Sequence, residues 1–155
     1  DNLEVANDYE FYRSVFTGSF NCPNLKTVGV QAFLNSIFNG VFNCPNLHEV
    51  ANNAFYNSVF TGSFNCPNLK EVGNNAFYNS VFTGSFNCPN LTSVGLGAFL
   101  NSNFTQITIN TNCFFYQDSF GAHSQEFWDD YNANEQLGGT YVWDEGSGHW
   151  IYIEN

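Results

Sequence analysis

A phrase that recurs at a fixed interval constrains the fold of this chain more than any other feature. The letters SVFTGSFNCPNL occupy residues 14–25, 58–69 and 80–91, and the close variant SIFNGVFNCPNL occupies residues 36–47. Each copy begins 22 residues after the copy before it. An internal repeat of this length predicts a stacked array in which each unit forms one coil and cannot fold alone. We therefore expect five coils over residues 1–110, with an atypical first and last coil.

The apolar residues keep their places in every unit and predict the core. Each unit carries a Leu and a Val three residues apart, then an Ala-Phe pair and further Phe residues. This spacing fits neither a helical stripe nor a long strand alternation. It fits a short parallel strand at Leu-x-x-Val, paired with its equivalent in the next coil at about 4.8 Å. Equivalent residues then form structural ladders, namely Cys22, Cys44, Cys66 and Cys88, then Leu25, Leu47, Leu69 and Leu91, then Phe33, Phe55, Phe77 and Phe99.

The repeated cysteines permit three interpretations. In a stacked solenoid, four thiols at 22-residue steps fall in one column about 5 Å apart. A column favours small buried apolar residues, and it also allows disulfides between neighbouring coils. It suits a metal poorly, because tetrahedral ligands must converge on one point. We interpret the column as packing and expect no metal site and no cofactor.

Residues 111–155 differ in kind from the repeats. Phe120, Phe127 and Tyr131 lie at intervals typical of one helical face, which predicts a helix at about 119–133. Residues 139–153 contain two aromatic-rich segments around Glu-Gly-Ser-Gly, which predicts a β-hairpin. A solenoid needs a terminal element over the apolar face and open edge of its last coil. We therefore expect helix and hairpin to form a cap within the same domain.

The composition argues against several classes of partner and against catalysis. Three basic residues stand against 14 acidic ones, for a formal net charge of -11, which repels nucleic acid and anionic lipid alike. No apolar run approaches the roughly 20 residues that span a bilayer. The three His residues lie in no nucleophile or metal motif. We expect no transmembrane segment, with any signal or anchor lying outside these residues, and no enzymatic activity.

The segment SFNCPNLKEVGNNAF resembles the BspA-like, or treponemal-type, leucine-rich repeats of bacterial surface proteins. The resemblance covers about two thirds of the chain. It implies an α/β-type repeat solenoid, a right-handed leucine-rich repeat coil, in a protein that is secreted or on the cell surface. It also implies adhesion to host proteins or other cells. The unit here is 22 residues long and reads GNNAF after the strand, where the family has about 23 residues and a Leu-Pro or Ile-Pro.

Two sets of residues are candidates for ligand binding. The first comprises the residues between Leu and Val, which change while the frame of the repeat stays fixed. On the binding face common among leucine-rich repeat proteins, at least some of them point outward, although a merely solvated face has the same pattern. This set is Lys26, Thr27, His48, Glu49, Lys70, Glu71, Thr92 and Ser93. The second set is an aromatic platform for sugars, formed by Tyr56, Tyr78, Trp143 and Trp150.

These observations predict a non-enzymatic repeat protein that binds a protein or cell-surface ligand. A glycan-binding module that uses the exposed aromatic residues is the first alternative. A structural spacer within a larger surface protein is the second.

Overall fold

The computed structural model of the protein describes residues 2–154. The repeats form a β-solenoid of about five turns, closed at its C-terminal end by one helix and two further strands. This architecture confirms the predicted leucine-rich repeat solenoid with its short parallel strands. The elements in chain order are β1 (Val5–Ala6), β2 (Thr17–Asn21), β3 (Thr27–Val28), β4 (Ile37–Asn43), β5 (Glu49–Val50), β6 (Thr61–Asn65), β7 (Glu71–Val72), β8 (Val81–Asn87), β9 (Ser93–Val94), β10 (Asn103–Ile109), β11 (Phe114–Phe115), α1 (Ser124–Ala133), β12 (Gly139–Asp144) and β13 (His149–Ile153).

The short strands form one parallel sheet along the solenoid. Its order is β1-β3-β5-β7-β9-β11, so each coil adds one strand beside the previous one. The register aligns Val28, Val50, Val72 and Val94, whose side chains are all buried. The residue before each of these valines points to the opposite face, because successive side chains of a strand alternate. Every coil therefore presents one strand residue outward on this sheet.

The repeated phrase itself forms a second parallel sheet, in the order β2-β4-β6-β8-β10 and then β12-β13. The residues of the Thr-Gly-Ser segment are typical of turns, whereas the structure places the segment inside a strand. Gly18 and Gly62 each have φ +78°, and the register shifts beside each of them. Such a shift is a β-bulge, which absorbs a left-handed glycine without ending the strand. The two sheets enclose the core between them.

Stacked phenylalanines fill that core. The rings of Phe33, Phe55, Phe77 and Phe99 stack nearly parallel, with centroids 5.0, 5.2 and 5.1 Å apart. Phenylalanines from the long strands meet these rings edge to face, as Phe64 meets Phe77 at 5.2 Å. A buried Phe contributes roughly 1.5–3 kcal/mol through area removed from water. The ladder thus links each coil to the next.

Asparagine and serine side chains link neighbouring coils by hydrogen bonds where the chain turns between the sheets. Asn57 and Asn79 adopt left-handed φ angles of 71° and 74°, which Asn tolerates better than most residues. Asn79 Nδ2 donates to Asn57 Oδ1 at 2.6 Å. Beside them, the buried Ser80 Oγ donates to Ser58 O at 2.9 Å. These bonds explain why the repeat retains Asn-Ser after its core Phe.

The repeat pattern continues further than the sequence suggested. Strand β11 adds a sixth short strand, and Phe120 packs parallel to Phe99 with a centroid distance of 6.3 Å. The helix therefore begins at Ser124, later than the expected start near residue 119. Gly121 separates coil from helix, since its φ is +80° and a Cβ there would overlap backbone oxygens of the preceding coil. Phe120 belongs to the last coil, although its spacing matches the helical face.

Helix α1 and the hairpin form the cap. Strand β12 pairs antiparallel with β10, so the hairpin extends the long-strand sheet. Tyr131 joins the helix to the last coil, because its hydroxyl donates to Asn110 O at 2.6 Å and accepts from Cys113 N at 3.0 Å. Burial raises the Tyr131 pKa to about 12. Asp130 Oδ2 accepts from Trp150 N at 2.7 Å and holds the hairpin against the helix. No helix in residues 2–154 is long and apolar enough to cross a membrane.

Candidate functional site: a groove along the short-strand sheet

A groove runs along the outer face of the short-strand sheet and encloses about 430 Å³. Its floor is the backbone and small side chains that follow the strands, at Ala51, Gly73 and Gly95. A second hollow of about 630 Å³ over β1, β3 and β5 shares part of this lining and continues the groove towards the first coil. One wall carries Glu49, Glu71 and Ser93, the other carries Val30, Asn52 and Asn74, and Phe114 with Tyr116 closes the C-terminal end.

The floor of the groove needs glycines because residues of the opposite wall leave no room for a Cβ. A Cβ on Gly73 would lie 2.5 Å from Asn52 N and 2.6 Å from Asn52 Oδ1. That oxygen accepts a hydrogen bond from Asn74 N at 2.7 Å, which draws the two coils together at this point. Asn74 Oδ1 accepts from Leu96 N at 2.9 Å in the same way.

Every junction between coils obeys the same rule. Where the earlier coil carries Asp or Asn, the later coil carries Gly, because there is no room for a Cβ beside that side chain. Where the earlier coil carries Val or Leu, the later coil carries a residue with a side chain. The five junctions are Asp8 with Gly29, Val30 with Ala51, Asn52 with Gly73, Asn74 with Gly95, and Leu96 with Tyr116.

Two neighbouring carboxylates dominate the charge of the groove. Glu49 and Glu71 are register partners on β5 and β7, and both are exposed. Strand pairing holds such neighbours about 4.8 Å apart at the backbone. Within residues 2–154 neither carboxylate has a basic nitrogen within 4.0 Å, whereas Lys26 Nζ pairs with Glu4 Oε2 at 2.7 Å. Like charges this close repel each other, so the pair favours an external cation.

The structure separates the predicted polar pairs into two columns. The second member of each pair lies on a strand and faces the groove, at Thr27, Glu49, Glu71 and Ser93. The first members precede the strands, are exposed and lie outside the groove lining, at Lys26, His48, Lys70 and Thr92.

Sequence reasoning missed the rest of the lining, including Asn52, Asn74, Phe114 and Tyr116. Two features of the sequence could have revealed them. One is an Asp or Asn that is followed by a Gly at the neighbouring position of the next coil, and the other is the aromatic run Phe-Phe-Tyr after the last regular repeat.

The four residues of the predicted aromatic platform do not form one surface, because Tyr56 and Tyr78 lie together on the repeats and Trp143 and Trp150 lie together on the hairpin. The rings of Tyr56 and Tyr78 lie 4.7 Å apart and 3° from parallel, so their facing surfaces cover each other. Trp143 stacks on His123 with a centroid distance of 3.9 Å. Trp150 is 4% exposed and donates its indole N–H to His123 O at 3.0 Å. Direct contact between a ligand and Trp150 would require this part of the cap to open.

The cysteines lie in the interior as free thiols. Cys22 is half-buried, whereas Cys44, Cys66, Cys88 and Cys113 are buried. Burial raises the pKa of Cys44 and of Cys113 to about 12, and it raises the pKa of Cys22 as well. Thiolate, the reactive form, is therefore scarce at neutral pH. Residues 2–154 contain no group of three or more His, Cys, Asp or Glu able to hold a metal ion.

Thiol reagents should distinguish Cys22 from the other cysteines. At about pH 8 in native protein, we expect one thiol to react slowly and the others to react only after unfolding, because thiolate and access are both needed. The rate at Cys22 should keep rising with pH beyond the range of an exposed cysteine, since its pKa is raised. An absorbance-based thiol assay would measure this, with Cys22→Ser as the control that removes the native reaction. Rapid native reaction of several thiols would contradict the buried column.

Comparison with known proteins identifies one family. The family model described as BspA type leucine rich repeat region matches residues 4–125 in six copies. The six copies agree with the six short strands from β1 to β11. Searches against curated proteins and against solved structures give no significant match.

Proposed function

Because this chain belongs to the BspA-type leucine-rich repeat family, we propose that it is a non-enzymatic surface or secreted protein that binds a protein ligand through the groove. Repeats of this family are in general non-catalytic scaffolds for protein interaction, and family members are typically secreted or on the cell surface. Adhesion to host or cell-surface proteins is the form of interaction that we propose. The groove is the observation that carries this proposal.

The groove combines a constant frame with changing contacts. The segments 44–65 and 66–87 differ only at His48 against Lys70 and at Ala51 against Gly73. Over the whole sheet, the outward strand residues nevertheless change from apolar through acidic to aromatic. This column reads Val5, Thr27, Glu49, Glu71, Ser93 and Phe114. A rigid sheet that displays varied side chains along a depression suits recognition of a partner with mixed chemistry.

Glycan binding receives less support from the geometry. A sugar ring stacks on an exposed aromatic face, whereas Tyr56 and Tyr78 cover each other's facing surfaces. A spacer role would leave the groove without a ligand, so the wild-type protein would then capture no protein specifically.

Filling the groove tests the proposal. The variant Thr27→Trp/Ser93→Trp places bulky side chains on two groove-facing strands without changing the charge. The control Thr61→Trp/Thr83→Trp changes two exposed residues of the long-strand sheet. The immobilised proteins would be cross-linked to an extracellular-matrix preparation, and the captured proteins would be identified by mass spectrometry. We expect the amount of protein captured specifically to fall at least about tenfold for the groove variant and to stay unchanged for the control.

Two results would oppose the proposal. Equal recovery by wild type and the groove variant would exclude the groove as the binding surface. Capture that survives groove filling but disappears after enzymatic deglycosylation of the preparation would favour the glycan alternative. Circular dichroism of all variants would establish that each one is folded.

A further inference from the structure

We propose that the segment bound in this groove is an extended peptide of the partner that carries an Arg or Lys and, about four residues away, an apolar side chain. This inference rests on the proposed function and specifies the chemistry of the ligand. Three features of the groove carry it: the paired carboxylates, the free amides of the opposite wall, and the aromatic end.

The carboxylates specify a cation. Glu49 and Glu71 lack a basic partner within the described chain, and the other residues that line the 430 Å³ hollow around them are uncharged. In the adjoining hollow Asp8 adds a further acidic residue. A guanidinium or ammonium group between them would relieve their mutual repulsion and form two charge-assisted hydrogen bonds. The net charge of -11 strengthens the attraction for a basic segment at long range.

The opposite wall offers hydrogen-bond donors to a peptide backbone. Asn52 and Asn74 use their Oδ1 atoms to accept from backbone N–H groups of the next coil. This orients each amide, and both side chains are exposed. Neither Nδ2 group donates a hydrogen bond to a residue in 2–154, and the two side chains come from adjacent coils whose backbones lie about 4.8 Å apart. Carbonyl oxygens along an extended peptide can accept from them.

The aromatic end specifies an apolar residue. Phe114 is 59% exposed and Tyr116 is 43% exposed, and their rings meet edge to face at 5.2 Å. Both rings line the groove. Exposed aromatic rings beside a depression are typical anchors at protein interfaces.

The distance between these features sets the spacing of the motif. Glu71 and Phe114 are two strands apart, because only Ser93 lies between them in the register. Two strand spacings make about 10 Å, and the midpoint of the glutamate pair adds about 2 Å. An extended peptide advances about 3.3 Å per residue, so this distance corresponds to three to four residues. Its side chains alternate between two faces, and only an even separation directs both into the groove, so the basic and apolar residues should be four residues apart.

Synthetic peptides test the inference directly. Fluorescein-labelled Ser/Thr peptides would each carry one Arg and one Leu, with the separation varied from about one to about seven residues. Binding to the full chain would be measured by fluorescence anisotropy at low and at physiological salt. We expect the tightest binding at a separation of four residues, weaker binding with added salt, and no binding when Glu replaces Arg.

Matched variants assign the effect to the groove. Glu49→Gln/Glu71→Gln should weaken binding at least about tenfold, whereas Glu135→Gln/Glu145→Gln removes the same charge elsewhere and should change it less than about threefold. Phe114→Ser/Tyr116→Ser should reduce the affinity of the Leu peptides to that of peptides without Leu. The glutamate variant also removes a repulsion, so thermal unfolding should show that it is at least as stable as wild type.

Several results would overturn the inference. It fails if no basic peptide binds, if affinity is independent of spacing, or if both glutamine double variants weaken binding equally. If calorimetry shows that the groove binds Ca²⁺ and no peptide binds, the ligand is a divalent cation and not a peptide. The proposed function is tested separately, because capture of a matrix protein can depend on the groove even when none of the designed peptides binds.

Discussion

Replacing Phe77 by alanine is expected to lower the free energy of unfolding by about 3–5 kcal/mol. The ring is fully buried and stacks between Phe55 at 5.2 Å and Phe99 at 5.1 Å. Its loss leaves a cavity between two coils that cannot close without moving both sheets. Urea unfolding followed by circular dichroism would measure the change. A loss of this size is a large part of the 5–15 kcal/mol typical of a folded domain.

Phe16→Ala is the matched control for this substitution. Phe16 is 43% exposed and lies in the first coil, where its ring meets Phe38 at 5.8 Å. We expect a cost of about 1–2 kcal/mol, because solvent already reaches much of the ring. Equal losses for the two variants would show that the Phe ladder is not the main source of stability between coils.

Gly73→Ala is expected to lower the free energy of unfolding by about 2–3 kcal/mol. A Cβ here would come 2.5 Å from Asn52 N and 2.6 Å from Asn52 Oδ1, which is closer than any stable contact. Its backbone φ is not positive, so the cost arises from this close approach and not from a left-handed conformation. Chemical denaturation would measure the loss.

The preceding coil contains a residue pair that avoids this close contact. Val30 and Ala51 occupy the equivalent positions one coil earlier. Asn52→Val/Gly73→Ala reproduces this pair, so we expect a favourable coupling of about 1 kcal/mol or more between its two substitutions. Asn52→Val alone should cost about 1 kcal/mol through its lost hydrogen bond to Asn74 N. Strictly additive losses would contradict a link between the Asx side chain and the glycine.

Much of the frame could be predicted from the residues. The 22-residue period predicted the stacked coils, and the recurring Leu and Val predicted the short parallel strands that the structure contains. These predictions succeed because equivalent residues of a solenoid share one environment. The long-strand sheet was not predicted, because local propensity reads Thr-Gly-Ser as a turn. Pairing with neighbouring coils and a bulge at glycine override that preference.

The proposed binding surface could be predicted only in part. The changing residues between Leu and Val pointed to this sheet, but not to which member of each pair faces the groove. The opposite wall and the aromatic end could be identified only from the structure, since Asn52 and Phe114 are far apart in sequence and line one groove only because the coils stack.

The sequence by itself determined the period and the columns of the core, because both follow from which residues repeat, and it predicted a helix and a hairpin after the repeats. The tertiary structure decided where the groove lies and what charge it carries. Pairing at about 4.8 Å brings residues 21 or 22 positions apart in sequence next to each other, so that Glu49 lies beside Glu71 and Asn52 contacts Gly73. These contacts between coils create a surface that no single repeat contains.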